Sequence, residues 1–379
     1  MFHKLKKISA FLLFCFGFFG SLAFFYQLRL LKEEKKELKT KYQSFAANVF
    51  LKIPQLPFDL QNIPLAEESN LVIGIKEVQI RGVPAPYNAS LIKSGPNYLI
   101  FFRYDVIVQN TVQPFFSYIG CAELDGNFEQ TEKEFVRLDT QSNFSEDPRA
   151  LWIGRELYVI YNDLHSSNPL CRSMHLANVD PQSLKVNFVT ELDLQMQHIE
   201  KNWIPFEYPE NSQYSLYFEY HLNPHTILKL PDPKTNSLAP LIFPNYSASI
   251  KSPWPLRWGE IQGGSTALQA DGQYLGFFHS KFKDKDNFSW YLIGAYTFEN
   301  RPPFRLSAIS NYPIFFNGIY SSVPVHTANP LTRCLFPCGF VIENQKGREL
   351  VHLACGENDS HIKIITFDKK VLLKSLKKI

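Results

Sequence analysis

After residue 50 this sequence has little helical periodicity. Apolar residues at a 3.6-residue spacing are hard to find there, which excludes a mostly helical fold for that part of the chain. Short runs of aromatic and β-branched residues, bounded by Gly, Asn, Asp and Pro, are present instead and are strand signals. The chain beyond the N-terminal region is therefore predicted to be all-β.

Cysteines are few, with six among 379 residues. Cys15 lies in an apolar N-terminal run, and the other five leave an odd number, so at most two disulfides and one free thiol can form. Cys334 and Cys338 lack a second pair at the spacing of zinc ligands, which predicts buried strand residues rather than metal ligands. We expect neither a metal nor another cofactor.

The excess of positive over negative charge is also small, with 39 Lys and Arg against 36 Asp and Glu. The formal net charge is +3, and no basic stripe with interleaved aromatic residues appears after residue 50, so a nucleic-acid partner is not expected. Asp284-Lys285-Asp286 has the spacing that metal-dependent glycosyltransferases use for a nucleotide-sugar. It lies in a mixed-charge segment without strand–helix alternation around it, which favours a solvated hairpin tip.

A long uncharged run is present at residues 8–28, rich in Phe and Leu. About 20 such residues in a helix cross a bilayer, so the run is predicted to be a transmembrane signal anchor after a cytoplasmic tail at residues 1–7. A cleaved signal peptide is the alternative. Residues 29–64 are predicted to form a helical stalk and a proline-containing linker. The result is a single-pass type II membrane protein whose C-terminal domain is lumenal or extracytoplasmic.

Five segments repeat one design: a polar head, an apolar strand, a turn and a second apolar strand. The heads begin at Asn88, Glu146, Asn202, Gly263 and Phe336, and the second strands follow at residues 98–102, 157–161, 214–218, 274–278 and 350–353. A recurrence of roughly 55 to 75 residues suits a four-stranded propeller blade. We therefore predict a five-bladed β-propeller at residues 65–379. Its heads should converge at one mouth, because the first strand of each blade lines the central channel.

The second head places Asp147 before Pro148 and a buried strand. A carboxylate held rigidly there can act as a general acid or base in glycosyl chemistry. The alternative is a turn carboxylate that caps a backbone amide.

The ordered heads resemble glycoside hydrolase family 130 and its β-1,2-mannosyltransferase and phosphorylase relatives, which are five-bladed propellers acting on β-mannosides. The motifs that carry the resemblance, between about Pro86 and Lys369, are Glu146-Asp147-Pro148-Arg149, Lys201-Asn202-Trp203, Gly263-Gly264 leading to Phe277-Phe278-His279, and Phe336-Pro337-Cys338 with Gly356-Glu357-Asn358-Asp359.

The resemblance implies that Asp147 is the catalytic acid of a reaction with inversion. It also implies substrate-binding residues: Asn88 and Ser90 toward phosphate or sugar, Arg103 and Asp105 on the −1 mannose, His279 beside an anion site, and Asp359 near the sugar. Further substrate-binding candidates from the same motifs and the third blade are Arg149, Lys201, Asn202, Trp203, Glu219 and Gly264. Lys201 is an anion contact in this interpretation, whereas Trp203 either stacks on a sugar or belongs to the core.

The third blade departs from the phosphorylases of that family, which bind phosphate there through arginines. Its strands carry Glu207 and Glu219 but no arginine, so phosphate is not favoured as the nucleophile, and either glutamate is a candidate base for water. With the anchor, we predict a membrane-anchored glycosyltransferase that forms β-mannosidic linkages with inversion, from an activated mannose donor to a glycan acceptor. The alternatives are a β-mannoside hydrolase or phosphorylase, and a non-catalytic glycan-binding propeller.

Overall fold

The computed structural model describes residues 56–107, 115–192, 197–210, 213–234, 239–240, 251–323 and 331–379. The predicted cytoplasmic tail, membrane anchor and most of the stalk lie outside these residues. No helix in the described part of the chain is both long enough and apolar enough to cross a membrane. The strands form five sheets in a propeller-like arrangement, which confirms the prediction of an all-β, propeller-like domain. Each sheet is called a blade below.

The described chain begins with the short helix α1 (Phe58–Gln61) and the strand β1 (Val72–Val78). Blade 1 contains β2 (Tyr87–Ser94), β3 (Asn97–Ile107), β4 (Phe115–Leu124) and β5 (Val136–Arg137). Blade 2 contains β6 (Glu146–Ile153), β7 (Glu156–Ser167), β8 (Leu170–Val179) and β9 (Val186–Glu191). Blade 3 contains β10 (Ile204–Glu210), β11 (Gln213–Leu222), β12 (His225–Leu230) and β13 (Ala239–Pro240).

Blade 4 follows a 3₁₀ turn at Leu256–Trp258 and contains β14 (Ile261–Gly263), β15 (Leu268–Ala270), β16 (Gln273–Lys283), β17 (Ser289–Glu299), β18 (Leu306–Ile309) and β19 (Thr332–Arg333). Blade 5 contains β20 (Leu335–Gln345), β21 (Arg348–Glu357), β22 (His361–Asp368) and β1. The chain ends with α2 (Lys369–Ser375) and β23 (Lys377–Lys378), which pairs with β18.

The first strand of the domain completes its last blade. β1 is the outermost strand of blade 5 and pairs antiparallel with β22, from Val72 opposite Phe367 to Val78 opposite Ile362. A strand at a sheet edge leaves backbone groups unpaired, and β1 covers the outer edge of β22. The repeat pattern did not predict this pairing, because it begins at Asn88.

Apolar layers lie between neighbouring blades. Blades 5 and 1 share a buried cluster, as do blades 1 and 2 and blades 2 and 3. A larger cluster joins blades 3, 4 and 5, where Phe206 meets Phe298 at 5.3 Å and Phe277 meets Phe340 at 5.2 Å between ring centroids. Each blade thus buries both faces, which explains why its strands read as runs of aromatic and β-branched residues.

A bulge recurs where a head enters its strand. The strand register shifts between Tyr87 and Ser90 in blade 1 and between Glu146 and Arg149 in blade 2. At the bulges Asn88 and Asp147 have φ values of 46° and 56°, and Asn202 has 64° just before β10. Asn and Asp tolerate this left-handed conformation better than most residues, so these residue types let each head turn its side chain out of the strand.

Candidate active site

The heads meet, as the repeat predicted. Asn88 Nδ2 donates a hydrogen bond of 2.8 Å to Asp147 Oδ1, which joins blades 1 and 2. Arg149 Nε donates a hydrogen bond of 2.5 Å to the Gly264 carbonyl, which joins blades 2 and 4. This carbonyl is available because the inner strand of blade 4 is interrupted between β14 and β15.

Glycines allow the closest approaches between the heads. A Cβ atom at Gly263 would lie 1.8 Å from the Asn202 carbonyl oxygen, and one at Gly339 would lie 2.0 Å from Ser90 Oγ. Ser90 Oγ also accepts a hydrogen bond of 2.9 Å from the backbone of Ala150. Ser90 therefore helps to position the heads of blades 1, 2 and 5.

Arg103 gathers three carboxylates on one side of the mouth. Its guanidinium lies 3.2 Å from Asp105, 3.2 Å from Glu146 and 3.6 Å from Asp147, and only 12% of its side chain is exposed. Asp105 also accepts hydrogen bonds of 2.7 Å from the Tyr87 hydroxyl and 2.6 Å from the Ser117 hydroxyl. We call Asp105, Glu146, Asp147 and the nearby Asp359 the acidic group.

Asp147 is the member of this group with the most cations around it. Burial raises its pKa, but Arg103, the hydrogen bond from Asn88 and the charges of Arg149 and Lys201 outweigh burial, so the pKa is lowered overall. The carboxylate is therefore ionised at neutral pH. Its side chain is 13% exposed, which leaves it reachable from the mouth.

Asp359 differs from Asp147 in its ionisation. Burial raises its pKa to about 6, since the favourable effect of Arg103 is opposed by the negative charges of Asp147, Asp105 and Glu146. Of the two carboxyl groups, Asp359 therefore keeps its proton to the higher pH.

This difference predicts the pH dependence of stability. The folded-state pKa of Asp359 lies above the ordinary value of about 3.9, so the folded protein binds more protons than the unfolded chain between about pH 4 and pH 6. This contribution is complete below that window and is lost as the pH rises through 6. We expect Asp359→Asn to be more stable than the wild type at pH 7, relative to pH 4, by on the order of 2 kcal/mol.

Urea unfolding of both proteins at several pH values measures this difference. Asp139→Asn, at an exposed aspartate, is the control and should follow the wild type. Parallel pH profiles for wild type and Asp359→Asn would contradict the prediction.

A second set of charged side chains near Asp147 is cationic. Arg149 is fully buried, and it has no carboxylate within ion-pair distance in the described ranges. Besides the Gly264 carbonyl, it donates to the Asp147 carbonyl at 3.1 Å and to Asn202 Oδ1 at 3.5 Å. Burial lowers the pKa of Arg149, although the group stays protonated at any physiological pH.

His279 lies beside Arg149 in this region and is 2% exposed. Phe336 separates the two side chains, at 5.8 Å from the guanidinium carbon and 4.7 Å from the imidazole. Burial lowers the pKa of His279 to about 3, helped by the charges of Arg149 and Lys201, so the ring is neutral. Its Nδ1 atom has no hydrogen-bond partner in the part of the chain that the structure describes.

Lys281 is a further cation near His279, and the ring of Tyr291 contacts both side chains. The ring of Tyr291 lies 5.8 Å from His279, and the Lys281 ammonium lies 4.9 Å from that ring. We call Arg149, Lys201 and Lys281, with the neutral His279 among them, the cationic group. Such an array, with an unpaired buried donor or acceptor on His279, suits a small anion.

Two of the predicted substrate-binding residues, Trp203 and Glu219, belong to neither the acidic group nor the cationic group. Trp203 is 1% exposed, packs edge-on against Phe218 and Tyr220, and donates to Glu200 at 3.2 Å, so its indole belongs to the core between blades 2 and 3. The Glu219 side chain is fully buried, where one oxygen lies 2.7 Å from His225 Nε2 and the other accepts from the Tyr296 hydroxyl.

Glu207 also lies away from Asp147. It accepts a hydrogen bond of 2.6 Å from the backbone of Gly154, in the turn between β6 and β7. Asp147 lies at the opposite end of β6. Burial of Glu219 and the position of Glu207 are both incompatible with activating a water molecule beside Asp147.

Two expectations about other motifs are confirmed. Asp284 caps its own hairpin by accepting hydrogen bonds from the backbone of Asp286 and Phe288, both at 2.9 Å, as expected of a loop carboxylate. Cys334 and Cys338 are buried around Phe336, at the start of blade 5.

Sequence reasoning missed several residues of the site. The sequence places Glu146 in a motif without a role of its own, yet its carboxylate bridges Arg103 and Arg172, at 3.3 Å from the latter. Tyr87 directly precedes the head that begins at Asn88, and this position next to the head is a usable signal. Lys281 follows His279 at the two-residue spacing that puts both on one face of β16. Nothing in the sequence marks Arg172.

The acidic group and the cationic group lie together where the heads of the blades meet, and they form a polar site with charges of both signs in a propeller-like domain. Solved structures share this fold. A β-1,2-mannobiose phosphorylase from Listeria innocua, in complex with β-1,2-mannobiose, is 14% identical over 82% of this chain and 98% of its own, with a TM-score of 0.54. MPT-4, a mannose phosphorylase from Leishmania mexicana in complex with phosphate, is 15% identical over 83% and 93%, with a TM-score of 0.52.

A third structure represents the glycoside hydrolase 130 family of mannoside phosphorylases, described as containing hydrolases that target β-1,2-mannosidic linkages in Candida mannan. It is 14% identical over 84% of this chain and 96% of its own, with a TM-score of 0.52. No protein-family model and no curated protein matches the chain. The resemblance seen in the motifs is thus confirmed for the fold.

Proposed function

We propose that this protein is a five-bladed β-propeller enzyme that cleaves β-mannosides with inversion, using inorganic phosphate as the nucleophile and Asp147 as the general acid. The observation that carries the proposal is the position of Asp147 between Arg103 and the buried, carboxylate-free Arg149. The shared fold with mannoside phosphorylases supports mannose as the sugar.

The chemistry follows from the two groups. The acidic group, with Asn88, holds the terminal mannose through its hydroxyls. A phosphate oxygen attacks the anomeric carbon from the side opposite the leaving oxygen, the glycosidic bond breaks, and the proton of Asp147 passes to the leaving oxygen. The products are α-mannose 1-phosphate and a glycan shortened by one unit, and Asp147 recovers its proton from solvent.

Phosphate also prepares the acid. Arg149 and Lys201 lower the pKa of Asp147. A bound phosphate anion offsets those charges, so the pKa of Asp147 rises and its protonated form becomes available. The absence of arginine from the third blade disfavours a phosphate site there. The cationic group offers an anion site instead. Water is the less suitable nucleophile because Glu207 and Glu219 are not positioned to activate it.

The reverse reaction is a synthesis. By microscopic reversibility an ionised Asp147 takes the proton of an acceptor hydroxyl while α-mannose 1-phosphate provides the activated mannose, and a β-mannoside forms. A transferase in this sense uses the same site. The structural neighbours support cleavage better than transfer from a nucleotide-activated donor.

We also infer that residues 8–28 anchor the enzyme, with the propeller on the lumenal or extracytoplasmic side, where its glycan partner would be met. The support is the uncharged run rich in Phe and Leu.

We expect the full-length protein in detergent to convert β-1,2-mannobiose to α-mannose 1-phosphate only when phosphate is present. Phosphorus-31 NMR follows the product. The Lys201→Ala and Lys281→Ala variants should each raise the KM for phosphate roughly tenfold, the equivalent of about 1.4 kcal/mol of lost anion binding.

Lys285→Ala, at the exposed hairpin tip, is the matched control and should leave that KM unchanged. Phosphate-independent release of mannose would identify a hydrolase instead. Extension of a glycan from GDP-mannose, but not from α-mannose 1-phosphate, would identify a nucleotide-dependent transferase.

A further inference from the structure

Glu146 lies between two arginines. Its carboxylate is 3.2 Å from the Arg103 guanidinium and 3.3 Å from the Arg172 guanidinium. Arg103 also pairs with the other carboxylates of the acidic group, whereas in the part of the chain that the structure describes Arg172, on β8, forms its ion pair with Glu146. Only 13% of the Arg172 side chain is exposed, so water screens this pair poorly.

Neutral contacts hold the Arg172 guanidinium in place. Nε donates a hydrogen bond of 2.5 Å to Asn162 Oδ1, and Nη2 donates one of 2.6 Å to the Phe144 carbonyl. The Arg172 backbone N–H donates to the His198 carbonyl at 2.9 Å. Asn162 in turn donates to the Glu146 carbonyl at 3.3 Å. These bonds fix the guanidinium beside Glu146 without adding a second negative charge.

Glu146 depends on Arg172 for its own charge. Burial raises the pKa of Glu146, and the charges of Arg103 and Arg172 offset only part of that rise. The neighbouring charges of Asp147 and Asp105 raise the pKa further. Because Arg103 is shared among three carboxylates, loss of Arg172 would leave Glu146 protonated near neutral pH.

The charge of Glu146 limits how strongly Arg103 acts on Asp147. Nη1 of Arg103 lies 3.2 Å from Glu146 and 3.6 Å from Asp147, so the two carboxylates compete for one nitrogen. A protonated Glu146 would release this nitrogen to Asp147 and would no longer repel the Asp147 charge. Both changes favour the ionised form of Asp147, which cannot act as an acid.

We propose that Arg172 is a positioning residue for the general acid: it keeps Glu146 ionised, and Glu146 in turn draws Arg103 away from Asp147. Asp147 can then take up the proton that it delivers to the leaving oxygen. The inference rests on the proposed function and adds a residue that acts through Glu146 rather than on the substrate.

The other ionisable groups near these side chains are Arg149, Lys201, Asp359, His279, Tyr291, Cys334 and Cys338 around Asp147, and His175 beside Arg172. Burial keeps the imidazoles, the phenol and the thiols neutral at neutral pH. Asp359, with a pKa of about 6, changes charge within the range of the test, so its substitution is included.

The test follows kcat for phosphorolysis of β-1,2-mannobiose by the full-length protein from pH 5 to pH 8, with saturating phosphate. We expect Arg172→Met to move the loss of kcat at rising pH about one unit lower, so that kcat falls roughly tenfold at pH 7 and less than about twofold at pH 5. Glu146→Gln should show the same shift, and Arg172→Met should add nothing to it. Arg172→Lys keeps the charge and should restore the wild-type profile.

Arg348→Met is the matched control. Arg348 pairs with Asp368 at 2.6 Å, at the end of β21 opposite the head of blade 5, and its substitution should leave kcat unchanged. The same comparison in the Asp359→Asn background removes the titration of Asp359. An equal loss of kcat at pH 5 and pH 7, or a further shift when Arg172→Met is added to Glu146→Gln, would overturn the proposal.

Absence of turnover in the wild type would instead refute the proposed function. Urea unfolding then judges Arg172. The deficit of Arg172→Met should grow from pH 5 to pH 7, because the folded variant holds a proton on Glu146 that the unfolded chain releases. Asp147→Asn should also cost more stability in that background than in the wild type. A deficit independent of pH, or an equal effect of Asp147→Asn in both backgrounds, would overturn the role of Arg172.

Discussion

Asp147→Asn should lower kcat for phosphorolysis by roughly 10²- to 10⁴-fold, the range for loss of a general acid, with the Kd for mannobiose nearly unchanged. Asparagine has the same shape, tolerates the φ of 56° at this bulge, and keeps a carbonyl oxygen for the hydrogen bond from Asn88. It has no proton of suitable acidity for the leaving oxygen. Steady-state kinetics and calorimetric titration measure the two quantities.

Asp271→Asn provides the matched control. Asp271 also has a left-handed φ, of 49°, but it is exposed and pairs with Lys369. Its substitution should leave kcat unchanged. If Asp147→Asn kept full turnover, Asp147 would be a turn carboxylate, and unchanged glycan binding without any wild-type turnover would indicate a binding propeller.

Arg103→Met should produce the largest loss of stability, about 3–5 kcal/mol at pH 7, the usual effect of removing one partner of a buried ion pair. Arg103 lies within 3.6 Å of Asp105, Glu146 and Asp147, and its side chain is 12% exposed. Without it, three carboxylates face one another with little solvent. Urea unfolding followed by tryptophan fluorescence measures the difference.

The pH dependence of this loss of stability shows whether the missing charge of Arg103 causes it. When Arg103 is absent, the folded-state pKa values of these carboxyls rise, so the folded variant takes up protons that the unfolded chain does not hold. The deficit should therefore be greatest at neutral pH and shrink as the pH falls through the raised values. A deficit equal at pH 7 and pH 5 would indicate lost packing rather than lost charge.

Arg257→Met is the control for this measurement. Arg257 forms an ion pair with Asp59 at 3.5 Å, but its side chain is 60% exposed. Exposed pairs contribute little because water screens them, so we expect a change below about 1 kcal/mol.

The repeat and the residues at its heads can be predicted from the amino-acid sequence. Each blade is local in the chain, so its strands follow one another and their aromatic, β-branched pattern can be read directly. Asn88, Asp147 and Asn202 stood out because a polar head before an apolar strand recurs, and these residue types suit a left-handed bulge. Convergence of the heads followed from that repeat alone.

Which of those residues face the mouth depends on how the blades pack against one another. Trp203 and Glu219 carry the right chemistry in the right segments, but interblade packing buries both. Lys281 and Glu146 belong to the site because of side-chain contacts with Tyr291 and with Arg103 and Arg172, which the order of residues in the chain does not show. The physical reason is distance along the sequence: Asn88 meets Asp147 across 59 residues and Arg149 meets Gly264 across 115, and such contacts depend on how whole blades pack.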